Sequence, residues 1–385
     1  MKKLIVFVCV LSIILTGTVF AAGKTDTSSS SAQPSASKAP AAAPYTADEL
    51  KNFKIDPAKI PAAKLGTTVY LAVSIRGLEN PYIATINEGM KMFGAYLQSI
   101  GQKCEMQVLD SGGSNDKEVN NMKAFAARAN GNAIAYSDPN ENSIAFPLAQ
   151  AMASSGGFIG TAWNKPDDVG PMDLTPNWVI HTSPDNSLSG YNIAKAMFDN
   201  MGGKGKVFVV QGMLGNTAAI DRFKGFQKAL AEYPGITVAH NDTGNWATAE
   251  ALKLVETWLN TDPDVGGIWC ANDNMATGAL QALDKVGKKG KVGVVGVDAN
   301  TDIVEAVRDG FALATVSSNG YLQGGYTLAI CYAAWTGLLD VSRMPKNFRE
   351  FATPALLITK ANAAQYLSQK PTFDFSKPFD CKADN

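Results

Sequence analysis

At 385 residues the chain is long enough for two domains of ordinary size. Its apolar fraction of 46% and charged fraction of 18% are globular values, and a net charge of −1 gives no electrostatic pull toward nucleic acid or an anionic membrane. Two histidines, His181 and His240, leave few general bases or metal ligands.

The chain opens with Lys2 and Lys3, an apolar run from Leu4 to Leu15, and small residues at Ala21 and Ala22. This is the pattern of a cleavable signal peptide over 1–22, with an apolar run too short to span a bilayer comfortably. Cys9 lies inside that run, too early for a lipid-anchor cysteine, so the expected destination is the periplasm, as a soluble protein. Cys104, Cys270, Cys331 and Cys381 remain; export permits disulfides, but four cysteines allow three pairings and the spacing selects none. Cys270 and Cys331 read most simply as small buried residues. Residues 23–64, rich in Ser, Ala and Pro, read as a flexible tether, with a short helix able to begin at Thr46 ahead of Asp48 and Glu49.

From Thr67 apolar runs of strand length recur: 69–75, 106–109, 133–136, 158–162 and 178–181, then 207–210, 236–239, 267–270 and 292–297. Amphipathic stretches separate them; Ile83, Ile86, Met90, Phe93, Leu97 and Ile100 keep to one helical face. Alternating strands and helices predict parallel sheets covered on both faces. Two series of four or five units predict two such sheets, divided by the Pro-, Asp- and Asn-rich loop 165–177. After Val316 the pattern breaks at Ser317-Ser318-Asn319-Gly320 before a further helix over 322–338, and 371–385 reads as a surface tail.

In open parallel sheets ligands sit beyond the carboxyl ends of the strands. The residues there are Arg76 and Glu79-Asn80-Pro81-Tyr82; Ser137, Asp138 and Asn140; Trp163-Asn164; Gln211, with Asp221 and Arg222 on the next helix; Asn245-Trp246; Asn272-Asp273-Asn274; and Asp298. Planar Asn, Asp and Arg groups suit a ring of vicinal hydroxyls, and indole and phenol faces suit its C–H faces. Such a set recognises an uncharged polyol, with no Ser–His pair for nucleophilic catalysis. Two other motifs fail. Asp138, Asn140 and Asn142 begin like a calcium loop, yet Ser143 and Ala149 stand where Gly and Glu are required. Gly202-Gly203-Lys204-Gly205-Lys206 precedes a strand, whereas a phosphate loop follows one.

Asn80-Pro81-Tyr82, Gly225-Phe226 after Arg222, the run Ala271 to Ala279 and Val294-Val295-Gly296-Val297-Asp298 together resemble the ribose/galactose-type periplasmic binding proteins, the type I solute-binding family. The resemblance covers residues 67 to about 340. It implies two doubly wound lobes and a hinge of three crossing segments, near Ser183, Ser318 and Asp340. The lobes would be 65–182 plus 319–340 (N-terminal) and 183–318 plus 341–370 (C-terminal). It implies a ligand held by Asn80 and Tyr82 from one lobe, Arg222, Trp246, Asn272 and Asp298 from the other, and Ser318 on a crossing segment. Trp163 and Asn164 stand where ribose binders carry an Asp-Arg pair, and both are counted with the site. Ile83 replaces a second aromatic, Ser318 a longer amide, and 75–79 lengthen the first loop. These departures leave the ligand open among pentoses, hexoses, deoxy sugars and sugar alcohols.

The implied function is that of a non-enzymatic subunit of an ABC importer: a monomer without cofactor that closes on a small neutral carbohydrate or polyol and docks on an inner-membrane permease. The rival from another class is a sensory protein presenting its closed form to a chemoreceptor or sensor kinase. An effector-binding repressor shares the fold, but the signal peptide and the lack of a basic helix-turn-helix count against it; a glycoside hydrolase needs two converging carboxylates. Each site residue also has a plain structural reading. Asn80 and Asn272 could simply cap helices, Trp246 and Trp163 could be core, and Arg222 could pair with Asp221. Asp298, ending an apolar strand, needs a ligand or another partner.

Overall fold

The computed structural model describes residues 42–369 and 373–378. Thr46 caps the first helix, Ala47–Lys51 (α1): its side chain accepts from the Glu49 N–H, and the Glu49 carboxylate accepts from the Thr46 N–H at 2.7 Å. Ala62–Leu65 (α2) follows. Leu50, Ile55 and Ile60 are buried in the core of the first lobe, and the Arg343 guanidinium lies 4.0 Å from the centre of the Tyr45 ring. The expected tether is therefore folded onto the first lobe from Tyr45 onward. Its apolar residues are few, but they land on one face of the lobe.

The first lobe is built from Val69–Ile75 (β1), Pro81–Ser99 (α3), Cys104–Asp110 (β2), Asn115–Ala129 (α4), Ala133–Ser137 (β3), Ala145–Ser154 (α5), Phe158–Ala162 (β4) and Trp178–Pro184 (β5). The second takes Asn186–Asn200 (α6), Lys204–Gln211 (β6), Thr217–Glu232 (α7), Gly235–Thr243 (β7), Thr248–Thr261 (α8), Gly267–Cys270 (β8), Asp273–Lys285 (α9), Gly293–Val295 (β9), Thr301–Asp309 (α10) and Ala314–Ser317 (β10). Gly320–Thr336 (α11), Glu350–Thr353 (β11), Leu356–Thr359 (β12) and Ala363–Ser368 (α12) follow.

Two six-stranded sheets result, ordered β2-β1-β3-β4-β5-β11 and β7-β6-β8-β9-β10-β12. The first is parallel throughout; in the second only β12 runs antiparallel. The central strands β3 and β8 are buried at every position, as strands covered on both faces must be. Each sheet has its switch point at its first strand, between β1 and β3 and between β6 and β8, where a crevice opens at the carboxyl ends.

The chain passes between lobes after β5, between β10 and α11, and between β11 and β12. The third passage is at Pro354-Ala355, well beyond Asp340. Glu350 to Thr353 pair with His181 to Pro184, so 341–353 belong to the first lobe and not, as expected, to the second. The signal was weak because Glu350–Thr353 is only four residues long and half-buried. Helix α11 lies against α3 at a distance only glycine permits: a Cβ on Gly89 would stand 2.3 Å from the Tyr321 carbonyl oxygen, and one on Gly324 2.1 Å from that of Ile86.

The tail is also not wholly on the surface. Phe375 is buried, with ring centroids 5.1 Å from Phe93 and 5.6 Å from Tyr96. Cys104, Cys270 and Cys331 are free thiols; Cys381 and the expected signal peptide over 1–22 lie outside the described residues.

Candidate functional site

A cavity of about 570 Å³ lies where the two crevices face each other. Asn80, Tyr82, Trp163 and Asn164 line it from the first lobe, and Arg222, Trp246, Asn272 and Asp298 from the second. Ser318 does not. It lies on a separate hinge cavity between the crossing segments, lined also by Thr182, Thr353 and Gln323.

The asparagines that could have been caps are caps as well as lining groups. Asn80 starts α3 by accepting from the Tyr82 N–H at 2.9 Å, and Asn272 starts α9 by accepting from the Met275 N–H at 3.1 Å. Trp163, Trp246 and Asp298 all have left-handed backbones, with φ of 65°, 65° and 122°. For residues with a Cβ this costs about 1–3 kcal/mol each, and such strain gathers at functional sites.

The aromatic wall is fixed from behind. Gln323 on α11 accepts through Oε1 from the Tyr82 hydroxyl at 2.7 Å and from the Trp163 indole N–H at 3.0 Å. Tyr82 and Trp163 meet edge to face at 5.6 Å. Across the cavity, the Arg222 guanidinium lies between two indoles, 5.1 Å from Trp163 and 5.6 Å from Trp246. Arg222 donates to Asn186 Oδ1 at 3.1 Å and to the Ala271 carbonyl at 2.7 Å, while its neighbour Asp221 pairs outward with Lys224.

The two lobes each add an Arg–Asp pair to the cavity. Arg76, after β1, meets Asp138, after β3, at 3.4 Å; Arg222 meets Asp298 at 3.7 Å. Burial pushes Asp298 up to about 7, against the pull of Arg222 and the Asn272 hydrogen bond, and the Asp138 charge adds to the rise. Burial likewise lowers Arg222, so the charged forms of this pair are not fully compensated at 3.7 Å. Asp138 is also raised by burial, opposed by Arg76 and Asn164. Beneath it Glu118 accepts from Ser74 and Ser137 hydroxyls and from the Asn140 N–H, and burial pushes that carboxyl to about 7.

Arg76 and Asp138 stand at strand ends in the sequence, but 62 residues apart, so their pairing shows only once β1 and β3 are neighbours. Gln323 and Asn216 gave no signal: one lies in the first turn of α11, the other caps α7. Among the described residues no group of three or more His, Cys, Asp or Glu side chains is placed to hold a metal ion.

Two matching α/β lobes with polar and aromatic groups converging between them define a bilobal binding protein. A periplasmic binding protein domain matches residues 71–338, and the chain belongs to that family, with its type I fold. Members of the family are periplasmic binding proteins. The chain is 37% identical over 164 residues to a xylitol-binding protein of Mycolicibacterium smegmatis, a match spanning 42% of this chain and about half (47%) of that one. It is 29% identical over 247 residues to the ribose import binding protein of Salmonella typhimurium, covering 64% and 78% of the two. The crystal structure of a twin-arginine translocation pathway signal protein from Burkholderia phytofirmans superposes with a TM-score of 0.75 at 32% identity, over 79% of this chain and 94% of that one.

Proposed function

We propose that this chain is the exported, periplasmic solute-binding subunit of an ABC importer, acting as a monomer without catalysis and closing on one monosaccharide or sugar alcohol. The observation that carries the reading is the convergence of hydrogen-bonding and flat aromatic groups from both lobes on one cavity. Its two guanidinium groups each face a carboxylate, Arg76 with Asp138 and Arg222 with Asp298, and Glu79 and Asp302 also line it, which favours a neutral ligand over an anion. Hydroxyls are the matching chemistry: they can donate to Asp298 and Asp138 and accept from Arg222 and Asn272 together. The names of the xylitol- and ribose-binding relatives agree with that class.

A ligand touching both lobes stabilises the closed form by its preference for that form, and the closed form is the surface a membrane permease would engage. A chemoreceptor would engage the same surface in a sensing role.

A thermal-shift panel of pentoses, hexoses and polyols, xylitol and D-ribose among them, tests the class. A ligand at a hundred times its dissociation constant stabilises by about 2.7 kcal/mol. With the ligand so found, Asn272→Ala and Asp298→Ala should each weaken calorimetric affinity about tenfold or more, since each leaves a buried partner unsatisfied. Unchanged affinity in both would refute the site.

A further inference from the structure

Beside the cavity the lobes also bond directly to each other. Thr217, first residue of α7 in the second lobe, donates its backbone N–H to Asn164 Oδ1 at 3.0 Å and to Asn142 Oδ1 at 3.2 Å, and its hydroxyl to Asn142 Oδ1 at 2.5 Å. Its neighbour Asn216, the cap of α7, donates Nδ2 to the Asn140 carbonyl oxygen at 3.3 Å. The acceptors come from the loops after β3 and β4 in the first lobe. They meet the first turn of α7, whose N–H groups have no partner within the helix.

The acceptors are held in place. The Asn140 N–H is tied to the buried Glu118 at 3.0 Å. Asn164 is fully buried, and its Nδ2 donates to Asp138 Oδ1 at 3.3 Å and to the Pro139 carbonyl at 2.8 Å. With both amide hydrogens used within its own lobe and its oxygen on Thr217, Asn164 has little left to offer a sugar.

We propose that Asn142, Asn164 and the Asn216-Thr217 turn form a latch between the lobes that sets affinity from outside the ligand contacts, so that Asn164 serves as a positioning residue and not a ligand contact. Opening the cleft breaks every one of these bonds, while closing makes them whether or not a sugar is present. The latch therefore adds the same increment to closure for every ligand, raising affinity without selecting among sugars. Its effect on affinity rests on the binding reading above; its effect on closure does not.

The test uses the mature chain, with Asn142→Ala, Thr217→Val and the double variant. With donor and acceptor dyes on the two lobes, single-molecule energy transfer in sugar-free buffer should show the closed fraction falling in each variant. Calorimetry with two ligands from the panel should show each single variant weakening both ligands by the same factor, about fivefold for the one net neutral hydrogen bond lost in Thr217→Val and at least as much in Asn142→Ala, which also loses the Thr217 N–H bond. The double variant should lose no more than the larger single loss, because the two side chains share one bond. An unchanged closed fraction overturns the latch even if no panel sugar binds. A loss that differs between the ligands overturns it as well, since Asn142 would then be touching the ligand. Should either variant unfold, Asn142→Asp, which keeps the acceptor, must retain the closed fraction.

Discussion

The two Arg–Asp pairs that line the cleft hold the same chemistry in different surroundings. Arg76–Asp138 belongs to the first lobe, with the arginine side chain 19% exposed and the aspartate supported by Asn164. Arg222–Asp298 belongs to the second; both side chains are less than a tenth exposed, and the charges stand farther apart. Water reaches the first arginine and shares its charge, whereas the second pair has given up its solvation for an incomplete contact. A deeply buried pair with unused hydrogen-bonding capacity is poised to gain from a hydroxylated ligand. The better satisfied pair serves more as wall than as grip.

That difference can be broken by experiment. Arg222→Leu should have the largest effect, leaving Asp298 buried without its cation and freeing Asn186 and the Ala271 carbonyl; urea unfolding should show a loss of about 3 kcal/mol or more. A loss below 1 kcal/mol would mean the pair is not the strained one.

The next effect is on pH dependence. Because Asp298 lies near 7 in the folded chain and in the ordinary carboxylate range when unfolded, the folded protein holds a proton that the unfolded chain releases between about 4 and 7. This contribution to stability is present below that window and is lost as pH rises through it. Glu118, also pushed up to about 7, contributes to the same window, so Asp298→Asn should reduce the decline in unfolding free energy without abolishing it, and an unaltered slope would show that Asp298 ionises normally. The smallest effect belongs to Arg76→Leu, about 1 kcal/mol by the same urea assay, since Asn164 still donates to Asp138. A loss as large as that of Arg222→Leu would erase the distinction between the lobes.

Much of this was legible in the amino-acid order because parallel sheets write themselves as apolar runs with polar residues at their ends. Those runs mark nine of the twelve strands among the described residues, and the strand-end rule led to Asn80, Trp163, Trp246, Asn272 and Asp298, all on the cavity. What stayed hidden depends on neighbours distant in sequence. The Arg76–Asp138 pair needs β1 beside β3; the Asn164–Thr217 bond needs the lobes face to face; Gln323 is an ordinary helical amide until Tyr82 and Trp163 reach it. Ser318 was misplaced for the opposite reason: one residue after β10, at a crossing, a small change in direction decides which of two cavities it joins. The positive φ values at Trp163 and Trp246 left no mark, because glycine, the usual sign of that conformation, is absent there.

The buried residues that fasten 42–65 and Phe375 all belong to the first lobe, and the second is an excursion of chain between 185 and 317 that returns only for β12 and α12. In mechanical terms the first lobe is the chassis and the second the swinging arm. A load, a surface or a dye attached at position 43 pulls on the chassis alone. Closure then proceeds as the free arm's rotation, and its amplitude can be read against a stationary frame.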